Sequence, residues 1–312
     1  MPLIEGALYG HLKGGTSFLD AYNFAIVMMK SNMDSLVTIS IPIYNAERFL
    51  RDAILSVINQ TYKDWTLLLI NDGSTDNSLS IMQEFEGQDS RIVIINDGLN
   101  KGLITRLNES IAMCNTKYYA RMDADDIMCV SRIKEQVNFL EEHPDVDVCG
   151  TSIMTIDGKN NIIGSGFYNG KAKGFVHPTV MGKSVWFKSN PYVDWALRAE
   201  DFELWTRTSI NSNFYAIGKP LLFYREFGVP TFKKYFLSQK TLIKVASNYK
   251  QYEKSFSWFL KLSASACAKI VLASLFSVMG KIDLIVSMRR RTTVPEALVL
   301  KKTDLNAAIS NP

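Results

Sequence analysis

Three carboxylates within four residues, Asp123, Asp125 and Asp126, are the part of this sequence best suited to chemistry. They follow the run Tyr118-Tyr119-Ala120, whose residue types favour a β-strand, and an acidic cluster is a typical strand end. A solvated acidic turn is the ordinary explanation of a D-x-D sequence. Hard divalent cations also bind oxygen ligands of this kind, usually together with phosphates. The position after an apolar strand therefore indicates a cation site that serves a phosphate-bearing substrate.

Two further polar residues also follow predicted strands. Tyr44 comes directly after the β-rich run Val37–Ile43, and Asp72 comes shortly after Trp65–Ile70. The carboxyl ends of strands in an open α/β sheet form the ligand crevice. We therefore expect Tyr44, Asp72 and Asp123 to converge on one site.

Strands and helices alternate from residue 37 to residue 126. The predicted strands are near-continuous apolar runs, which are typical of buried parallel sheets. Between them, apolar residues recur at helical spacing, as Phe49, Ala53 and Val57 do. Such βαβ units predict an α/β fold with a mostly parallel central sheet flanked by helices. The four predicted strands are Val37–Ile43, Trp65–Ile70, Arg91–Ile95 and the segment that begins at Tyr118.

The pattern is less regular after the acidic cluster. A helix is predicted over Ser131–Glu142, followed by short strands between Val146 and Ile163 and another strand at Val185–Phe187. A helix begins near Ala199, and its acidic first turn suits the positive N-terminal end of a helix. The segment Pro220–Arg225 is predicted to be a closing strand.

Composition bounds the class of protein. The chain has 312 residues, of which 47% are hydrophobic and 21% are charged, so one large or two smaller globular domains are expected. None of the four cysteines forms a C-x-x-C pair, and there are three histidines. A zinc site and a disulfide framework are therefore not indicated.

The charge is distributed unevenly along the chain. Residues 231–312 hold 14 Lys and Arg against 4 Asp and Glu, a balance of +10 within a net charge of +4. Such a basic region suggests an anionic partner surface, and both nucleic acid and anionic lipid are candidates. We predict an N-terminal appendage at 1–36, an α/β domain at 37–228 and a basic, amphipathic helical tail at 229–312.

The tail contains apolar runs that lysines interrupt. Lys261 and Lys269 divide the region, and no uninterrupted apolar run reaches the ~20 residues that a spanning helix needs. Mixed basic, aromatic and apolar residues at helical spacing are typical of a helix that lies in the membrane interface. The alternative is a helical extension that packs on the domain.

Five motifs in this order resemble the inverting glycosyltransferases of family 2, of the bacterial polysaccharide and O-antigen type, which have the GT-A fold. The resemblance covers about Val37–Arg225, and five motifs in sequence are far more specific than any one alone. The motifs are Ile41-Pro42-Ile43-Tyr44-Asn45 with Asn59-Gln60-Thr61-Tyr62, Asn71-Asp72-Gly73-Ser74-Thr75-Asp76, Arg121-Met122-Asp123-Ala124-Asp125-Asp126, and Ala199-Glu200-Asp201-Phe202-Glu203-Leu204-Trp205.

The resemblance implies a nucleotide-sugar donor, with a UDP-sugar favoured, and a role for each matching residue. Asp201 is implied to be the general base for the acceptor hydroxyl. The donor nucleotide would contact Pro42, Tyr44, Asp72 and Asp123, Mn²⁺ or Mg²⁺ would bind Asp123 and Asp125, and the acceptor or the sugar would contact Glu200 and Trp205. Lys101, Arg106 and Arg121 are expected to contact phosphates or to pair with the acidic cluster.

One departure from the family bears on the reaction. Processive members carry a Q-x-x-R-W segment and flanking spanning helices, and neither is found in this sequence. We therefore expect one hexose or N-acetylhexosamine to be transferred per encounter. The basic, apolar tail predicts a cytoplasmic enzyme bound peripherally to the inner face of the membrane, with a glycan acceptor that is lipid-linked. No recognition motif supports a nucleic-acid partner.

Two other functions compete with this one. A sugar nucleotidyltransferase also uses a parallel sheet and acidic metal ligands, but it would carry a Gly-rich basic loop after the first strand. That position holds Tyr44-Asn45-Ala46-Glu47. A non-catalytic module that binds nucleotide-sugars or glycans would have no base, whereas Asp201 is present.

Overall fold

The computed structural model describes residues 35–226, 231–281 and 293–311. All but the last two residues of the predicted appendage at 1–36, and the predicted boundary at 228, lie outside the described residues. One sheet of ten strands runs through the described part of the chain. Its strands are β1 (Val37–Ile43), β2 (Trp65–Asn71), β3 (Ile92–Asn96), β4 (Tyr118–Arg121), β5 (Ile127–Met128), β6 (Val148–Ile156), β7 (Ile162–Gly166), β8 (Gly170–Lys171), β9 (Met181–Lys183) and β10 (Phe214–Arg225).

The first half of the sheet is parallel, with β1 at its centre. β1 pairs in parallel with β2 on one side and with β4 on the other, and β2 pairs in parallel with β3. Every residue of β2 is buried, and Pro42 is the only residue of β1 that is not. The apolar runs form this buried parallel sheet because both of its faces are covered. The predicted βαβ organisation is therefore confirmed, and the carboxyl ends of β1, β2 and β4 share one edge.

The second half of the sheet is mixed. The strand order is β3-β2-β1-β4-β9-β6-β10-β5, with β7 on β6 and β8 on β10. β9 runs antiparallel to both β4 and β6, while β6 and β10 run parallel to each other. The short strands predicted between Val146 and Ile163 are one long buried strand, β6, followed by β7.

Six helices belong to the α/β unit, and their apolar sides pack on the sheet. In the first helix, Leu50, Ala53, Ile54 and Val57 are fully buried, as their helical spacing predicts. The helices are α1 (Leu50–Ile58), α2 (Ser78–Gln88), α3 (Leu103–Met113), α4 (Arg132–Glu142), α5 (Ser184–Ser189) and α6 (Glu200–Thr208).

The strand predicted at Val185–Phe187 is wrong, because these residues lie in helix α5. Trp186 and Phe187 are both buried, and their rings meet edge to face with centroids 5.0 Å apart. A short apolar run with two aromatic residues is also typical of a buried strand. Three residues are too few to distinguish the two-residue period of a strand from the 3.6-residue period of a helix.

In the described residues after the α/β unit there are three α-helices: α7 (Phe232–Ser247), α8 (Phe256–Val278) and α9 (Lys302–Ile309). α7 and α8 pack against each other, and α9 returns to the α/β unit beside α1 and β5. Leu305 and Ala308 of α9 are fully buried there, and Asn59 Nδ2 donates to the carbonyl of Ala308 over 3.0 Å. The end of the tail is therefore part of the hydrophobic core.

Among the helices that the structure describes, α8 alone is long and apolar enough to cross a membrane, as judged by length and composition only. Lys261 and Lys269 interrupt its apolar residues as the sequence indicates, but its 23 residues form one continuous helix. Only Ala266 and Ala273 of α8 are buried. Apolar residues occur on all sides of this helix, so it is less amphipathic than the sequence predicts.

Candidate active site

A cavity of about 410 Å³ opens at the carboxyl edge of β1 and β2. It is lined by Pro42, Tyr44 and Asp72, which the sequence predicts to contact a nucleotide, and by Glu200 from the start of α6. Tyr44 is 55% exposed, so its ring is open to a ligand. Parallel strand ends meet at one edge, which is why residues from the first two strand ends line the same cavity.

Asp72 is held in place by hydrogen bonds from the loop that follows β3 and from helix α3. Its Oδ1 accepts from the amide of Lys101 over 2.7 Å and from Arg106 Nε over 2.9 Å. The amide of Gly102 lies 3.1 Å from both carboxylate oxygens. Among the described residues Oδ2 has this shared donor alone, so it is the oxygen that retains capacity to accept a hydrogen bond from a ligand.

Arg106 joins Asp72 to two further carboxylates. Its guanidinium is buried, with Nη2 2.6 Å from Asp97 Oδ1 and Nη1 2.8 Å from Glu109 Oε2. Burial would raise the pKa of Asp97, but hydrogen bonds from Arg106 and Lys101 lower it below its ordinary value. The Lys101 ammonium therefore pairs with Asp97 and Glu109, and the Arg106 guanidinium pairs with Asp72 and with the same two carboxylates.

Gly73 allows the loop that holds Asp72 to approach closely. Its φ is +69°, a backbone conformation that favours glycine, and a Cβ there would lie 2.8 Å from the amide nitrogen of Asn100. A side chain at this position would push residues 99–102 away from Asp72. The glycine of the motif is thus required by packing around the cavity.

The acidic cluster follows β4 and is surrounded by buried arginines. Arg121 Nη2 forms an ion pair with Asp123 Oδ1, and the Arg121 side chain is 1% exposed. Arg132 Nη2 donates to the carbonyl of Arg121 over 3.0 Å. These contacts fix the end of β4, from which the three carboxylates project.

Arg225, at the end of β10, holds the same loop from the other side. Its amide donates to Asp126 Oδ1 over 2.8 Å, and its Nε donates to the carbonyl of Asp125 over 2.6 Å. The guanidinium also lies over the ring of Phe49, with its carbon 4.2 Å from the ring centroid. Asp126 therefore has a structural partner at one carboxylate oxygen.

The residues of the cluster fit a divalent cation. Asp123, Asp125 and Asp126 each offer an oxygen within 4.8 Å of the others, and Asp126 Oδ2 is buried with no hydrogen-bond partner in the part of the chain that the structure describes. Burial and then the charge of Asp123 raise the pKa of Asp125 to about 6. Burial also raises the pKa of Asp126, and the charges of Asp123 and Asp125 add to this. Carboxyl groups that stand this close together lose their protons less readily. A bound divalent cation would stabilise their ionised form.

Glu200 and Asp201 begin α6, as the sequence predicts. Burial raises the pKa of both carboxyls, and Arg121 and Asp123 lie close enough for their charges to act on each of them. Asp201 Oδ1 accepts from the amide of Phe202 over 2.7 Å. The start of α6 is therefore placed beside both the cavity and the acidic cluster.

Trp205, in the second turn of α6, is part of an aromatic cluster with Phe175, Trp186 and Phe214. It is 3% exposed, and none of the described residues forms a hydrogen bond with its buried Nε1. His177 is also buried, and its Nε2 lies 2.7 Å from the hydroxyl of Tyr192, which agrees with a structural role. Contact of Trp205 with a sugar stays a prediction.

Sequence reasoning missed several residues of the site. Arg198 and Leu237 line the cavity, Asp97 and Glu109 bind the Arg106 that holds Asp72, and Arg225 holds the acidic loop. Arg198 has a φ of +69°, a conformation that non-glycine residues rarely adopt outside functional or strained positions. Only the proximity of Arg198 to Glu200 in the sequence was available as a signal. The others depend on contacts between distant segments.

The sheet topology, the acidic cluster after β4 and the carboxylates at the start of α6 define a glycosyltransferase of the GT-A type. Comparisons with known proteins agree. The glycosyl transferase family 2 model matches residues 38–203, so this chain belongs to that family. The family resemblance, the fold class and the enzyme class that the sequence predicts are thus confirmed at the level of the family.

Two relatives illustrate the match in sequence. An uncharacterized glycosyltransferase of Haemophilus influenzae is 34% identical over 195 residues, which cover 56% of this chain and 60% of the relative. A Bacillus subtilis protein named as a teichuronic acid biosynthesis glycosyltransferase, TuaG, is 30% identical over 41% of this chain and 51% of its own length. The chain thus spans about 60% or less of these two relatives.

Two solved structures illustrate the match in fold. S. aureus TarS, residues 1–349 in complex with UDP-GlcNAc, aligns with a TM-score of 0.59 at 15% identity, over 78% of this chain and 73% of that one. The mannosyltransferase PcManGT from Pyrobaculum calidifontis, in complex with GDP-Man and Mn²⁺, aligns with a TM-score of 0.53 at 13% identity. That alignment covers 98% of this chain and 96% of the other. At these identities the likeness concerns the fold.

Proposed function

We propose that this protein transfers a single hexose or N-acetylhexosamine from a UDP-sugar to a hydroxyl of a glycan acceptor, with inversion at the anomeric carbon. The proposal rests on one observation: the cavity and the acidic cluster lie at the same edge of the sheet and both reach Glu200. The cavity lined by Pro42, Tyr44 and Asp72 reaches Glu200, and the acidic cluster acts electrostatically on the same Glu200. Nucleotide-sugars bound to structures of the same fold support this class of donor.

The nucleotide is proposed to occupy the cavity. Tyr44 presents an exposed ring to the base, and Asp72 Oδ2 is available to accept a hydrogen bond from the N–H of uracil. Arg106 and the amides of Lys101 and Gly102 hold the other oxygen of Asp72, so this acceptor is oriented before the donor binds. The diphosphate would then extend toward Asp123.

Asp123 and Asp125 are proposed to hold Mn²⁺ or Mg²⁺, and Asp126 is a further candidate ligand through its unpaired Oδ2. When bound, the cation neutralises charge that develops on the leaving nucleoside diphosphate. Arg121 and Arg225 keep the carboxylates in place by binding Asp123 and the backbone of Asp125. The Mn²⁺ in the PcManGT complex supports the choice of metal.

Asp201 is proposed to be the general base. Its Oδ1 accepts from the amide of Phe202, which leaves Oδ2 free to take the proton of the acceptor hydroxyl. Burial raises the pKa of Asp201, so its carboxylate is a stronger base than a solvated aspartate. Attack from the side opposite the diphosphate would invert the anomeric centre. Glu200 lines the cavity beside it and is proposed to bind a hydroxyl of the sugar or the acceptor.

A lipid-linked acceptor in polysaccharide synthesis is the proposed context, with the enzyme bound peripherally at the cytoplasmic face of the membrane. The basic balance of residues 231–312 and the exposed apolar residues of α8 support this location. The similarity to TuaG, which is named for teichuronic acid biosynthesis, supports a role in polysaccharide synthesis.

The test is a panel of UDP-, GDP- and dTDP-sugars with Mn²⁺ and a lipid-linked acceptor, comparing the wild-type protein with Asp201→Asn. We expect transfer from a UDP-sugar and a loss of about 10²–10⁴-fold in kcat for the variant, since it lacks the base. Donor binding should persist in the variant. Full activity of Asp201→Asn would refute the role of Asp201 as the base. Full turnover in excess chelator would refute the requirement for a metal.

A further inference from the structure

One side of α8 is an exposed apolar surface. Seven residues spaced three or four apart form this outer row: Phe256, Leu260, Ala264, Cys267, Val271, Leu275 and Val278. All seven are exposed, and Val278 reaches 89%. The opposite side of the helix packs along α7 and buries Ala266 and Ala273. A contiguous row of exposed apolar side chains marks an interaction or membrane-contact surface, and the described residues cover this row with no partner of their own.

The charges near α8 favour anionic lipid over a second copy of the chain. The described residues 231–281 hold one acidic side chain, Glu253, and nine lysines. The lysines are Lys233, Lys234, Lys240, Lys244, Lys250, Lys254, Lys261, Lys269 and Lys281. Two copies joined through the outer row would bring these positive charges together. An anionic membrane surface attracts them, and Lys261 and Lys269 can extend toward headgroups while their stems cover apolar surface.

α7 fixes the direction of α8 because it is attached to the α/β unit. Thr241 Oγ1 donates to the carbonyl of Leu197 over 2.7 Å, and the ammonium of Lys244 lies 4.5 Å from the centre of the Trp195 ring. The chain turns back after Ser247, and α8 packs along α7. If α8 crossed the bilayer, α7 with its exposed lysines would have to enter the hydrocarbon beside it or separate from it. Charged side chains in that region are costly.

The chain beyond α8 also returns to the α/β unit. The amide of Val294 donates to Ser165 Oγ over 3.0 Å, and Leu305 is fully buried in the core. Residues 279–292 would have to cross back if α8 spanned the membrane. This segment carries Lys281, Asp283 and the run Arg289-Arg290-Arg291, which a crossing would expose to hydrocarbon.

We infer that α8 lies in the interface of an anionic membrane, with its outer row immersed and its axis along the surface, and that it does not span the bilayer. This inference rests on the membrane-bound acceptor of the proposed function. Leu237 of α7 lines the donor cavity, so α7 connects the immersed helix directly to the active site. The active site is thereby held near the surface, where the sugar of a lipid-linked acceptor is presented.

Cys267 provides a native probe of this arrangement. It is the exposed cysteine of the chain, whereas Cys114, Cys129 and Cys149 are buried. It also lies at the middle of α8, in the outer row. A nitroxide label on Cys267 of the full-length protein reports its depth in vesicles of phosphatidylglycerol and phosphatidylethanolamine through collisions with oxygen and with a water-soluble nickel complex. We expect a depth of about 5–10 Å below the phosphates, as for an interfacial helix.

Two more labelled positions distinguish a helix that lies on the membrane from one that spans it. Leu260→Cys and Leu275→Cys, each made with Cys267→Ser, place labels about 22 Å apart along the axis. Equal depths at both positions support the inference. Depths that differ by most of that separation would show a spanning helix and overturn it. A label that is shielded in lipid-free protein at high concentration, with no flotation on vesicles, would show that a second copy covers the row.

Matched substitutions separate this inference from the proposed chemistry. Val271→Glu places a charge in the outer row, and Ser265→Glu places the same charge at an exposed position outside it. We expect Val271→Glu to abolish vesicle flotation and Ser265→Glu to retain most of it, with UDP-sugar turnover on a soluble acceptor unchanged in both. Equal flotation of the two variants overturns the membrane inference alone. Absence of turnover in the wild-type protein overturns the proposed function alone.

Discussion

Arg225 Nε donates a hydrogen bond to the backbone carbonyl of Asp125 over 2.6 Å, which joins the last strand of the sheet to the acidic loop. The same guanidinium donates through Nη1 to the carbonyl of Asp157 over 2.8 Å, and the Arg225 amide binds Asp126 Oδ1. The position of the candidate metal ligands thus depends on a residue 100 positions away in the sequence.

Replacing Arg225 should therefore weaken metal binding. In Arg225→Met the acidic loop loses its side-chain anchor, and groups that orient metal ligands are commonly worth about 10–100-fold in affinity. We expect a loss of this size for Mn²⁺, measured by isothermal titration calorimetry. Lys219→Met is the control, because Lys219 lies on the same strand and pairs with Glu135 away from the loop. Unchanged Mn²⁺ affinity in a folded Arg225→Met protein would contradict the anchoring role.

Arg106 should be required for stability, because it is buried among Asp72, Asp97 and Glu109. Removing one member of a buried charge network leaves the others without compensation, at a cost of about 3–5 kcal/mol. We expect Arg106→Met to lose that much free energy of unfolding in a urea titration. Lys101→Met should lose clearly less, since the Lys101 side chain is 24% exposed and its backbone amide still binds Asp72. Equal losses would show that Arg106 has no special role.

The dependence of kcat/KM on pH should report the ionisation of Asp201. Burial raises the pKa of this carboxyl, and the base acts only when ionised, so the rate falls as the pH is lowered through the raised pKa. We expect the acid limb to lie above about 3.9, the ordinary pKa of aspartate. The pKa of Asp125, about 6, would produce a limb of its own through loss of the metal. A limb of the pH profile that does not move when the Mn²⁺ concentration is raised belongs to Asp201. A limb that shifts to lower pH at the higher Mn²⁺ concentration belongs to the metal ligands.

The last helix should stabilise the catalytic domain. Leu305 is fully buried against β5, β6 and β10, so Leu305→Ala should cost about 2–5 kcal/mol in thermal or urea unfolding. Leu260→Ala is the matched control on exposed α8, and in the absence of lipid we expect less than about 0.5 kcal/mol. Equal effects would show that α9 does not belong to the core. Because α9 is buried, deletion of the whole tail would confound a membrane-binding assay with unfolding.

Much of the α/β unit was predictable from local pattern. The apolar runs of β1, β2 and β3 and the helical spacing in α1 and α3 are visible in short windows, because each period reflects one element and one buried face. Parallel βαβ units then force successive strand ends to one edge. That rule alone predicted that Tyr44 and Asp72 would share a crevice, and they line one cavity.

The residue types of the sequence by themselves determined the fold class, the parallel half of the sheet and the identity of the candidate carboxylates. Tertiary structure alone decided the partners of those carboxylates: Arg106 for Asp72 and Arg225 for the loop of Asp125. It also decided that Val185–Phe187 is helical and that α9 completes the core. The physical reason is that sequence patterns carry the period of one element, whereas ion pairs and buried contacts form between segments that only packing brings together.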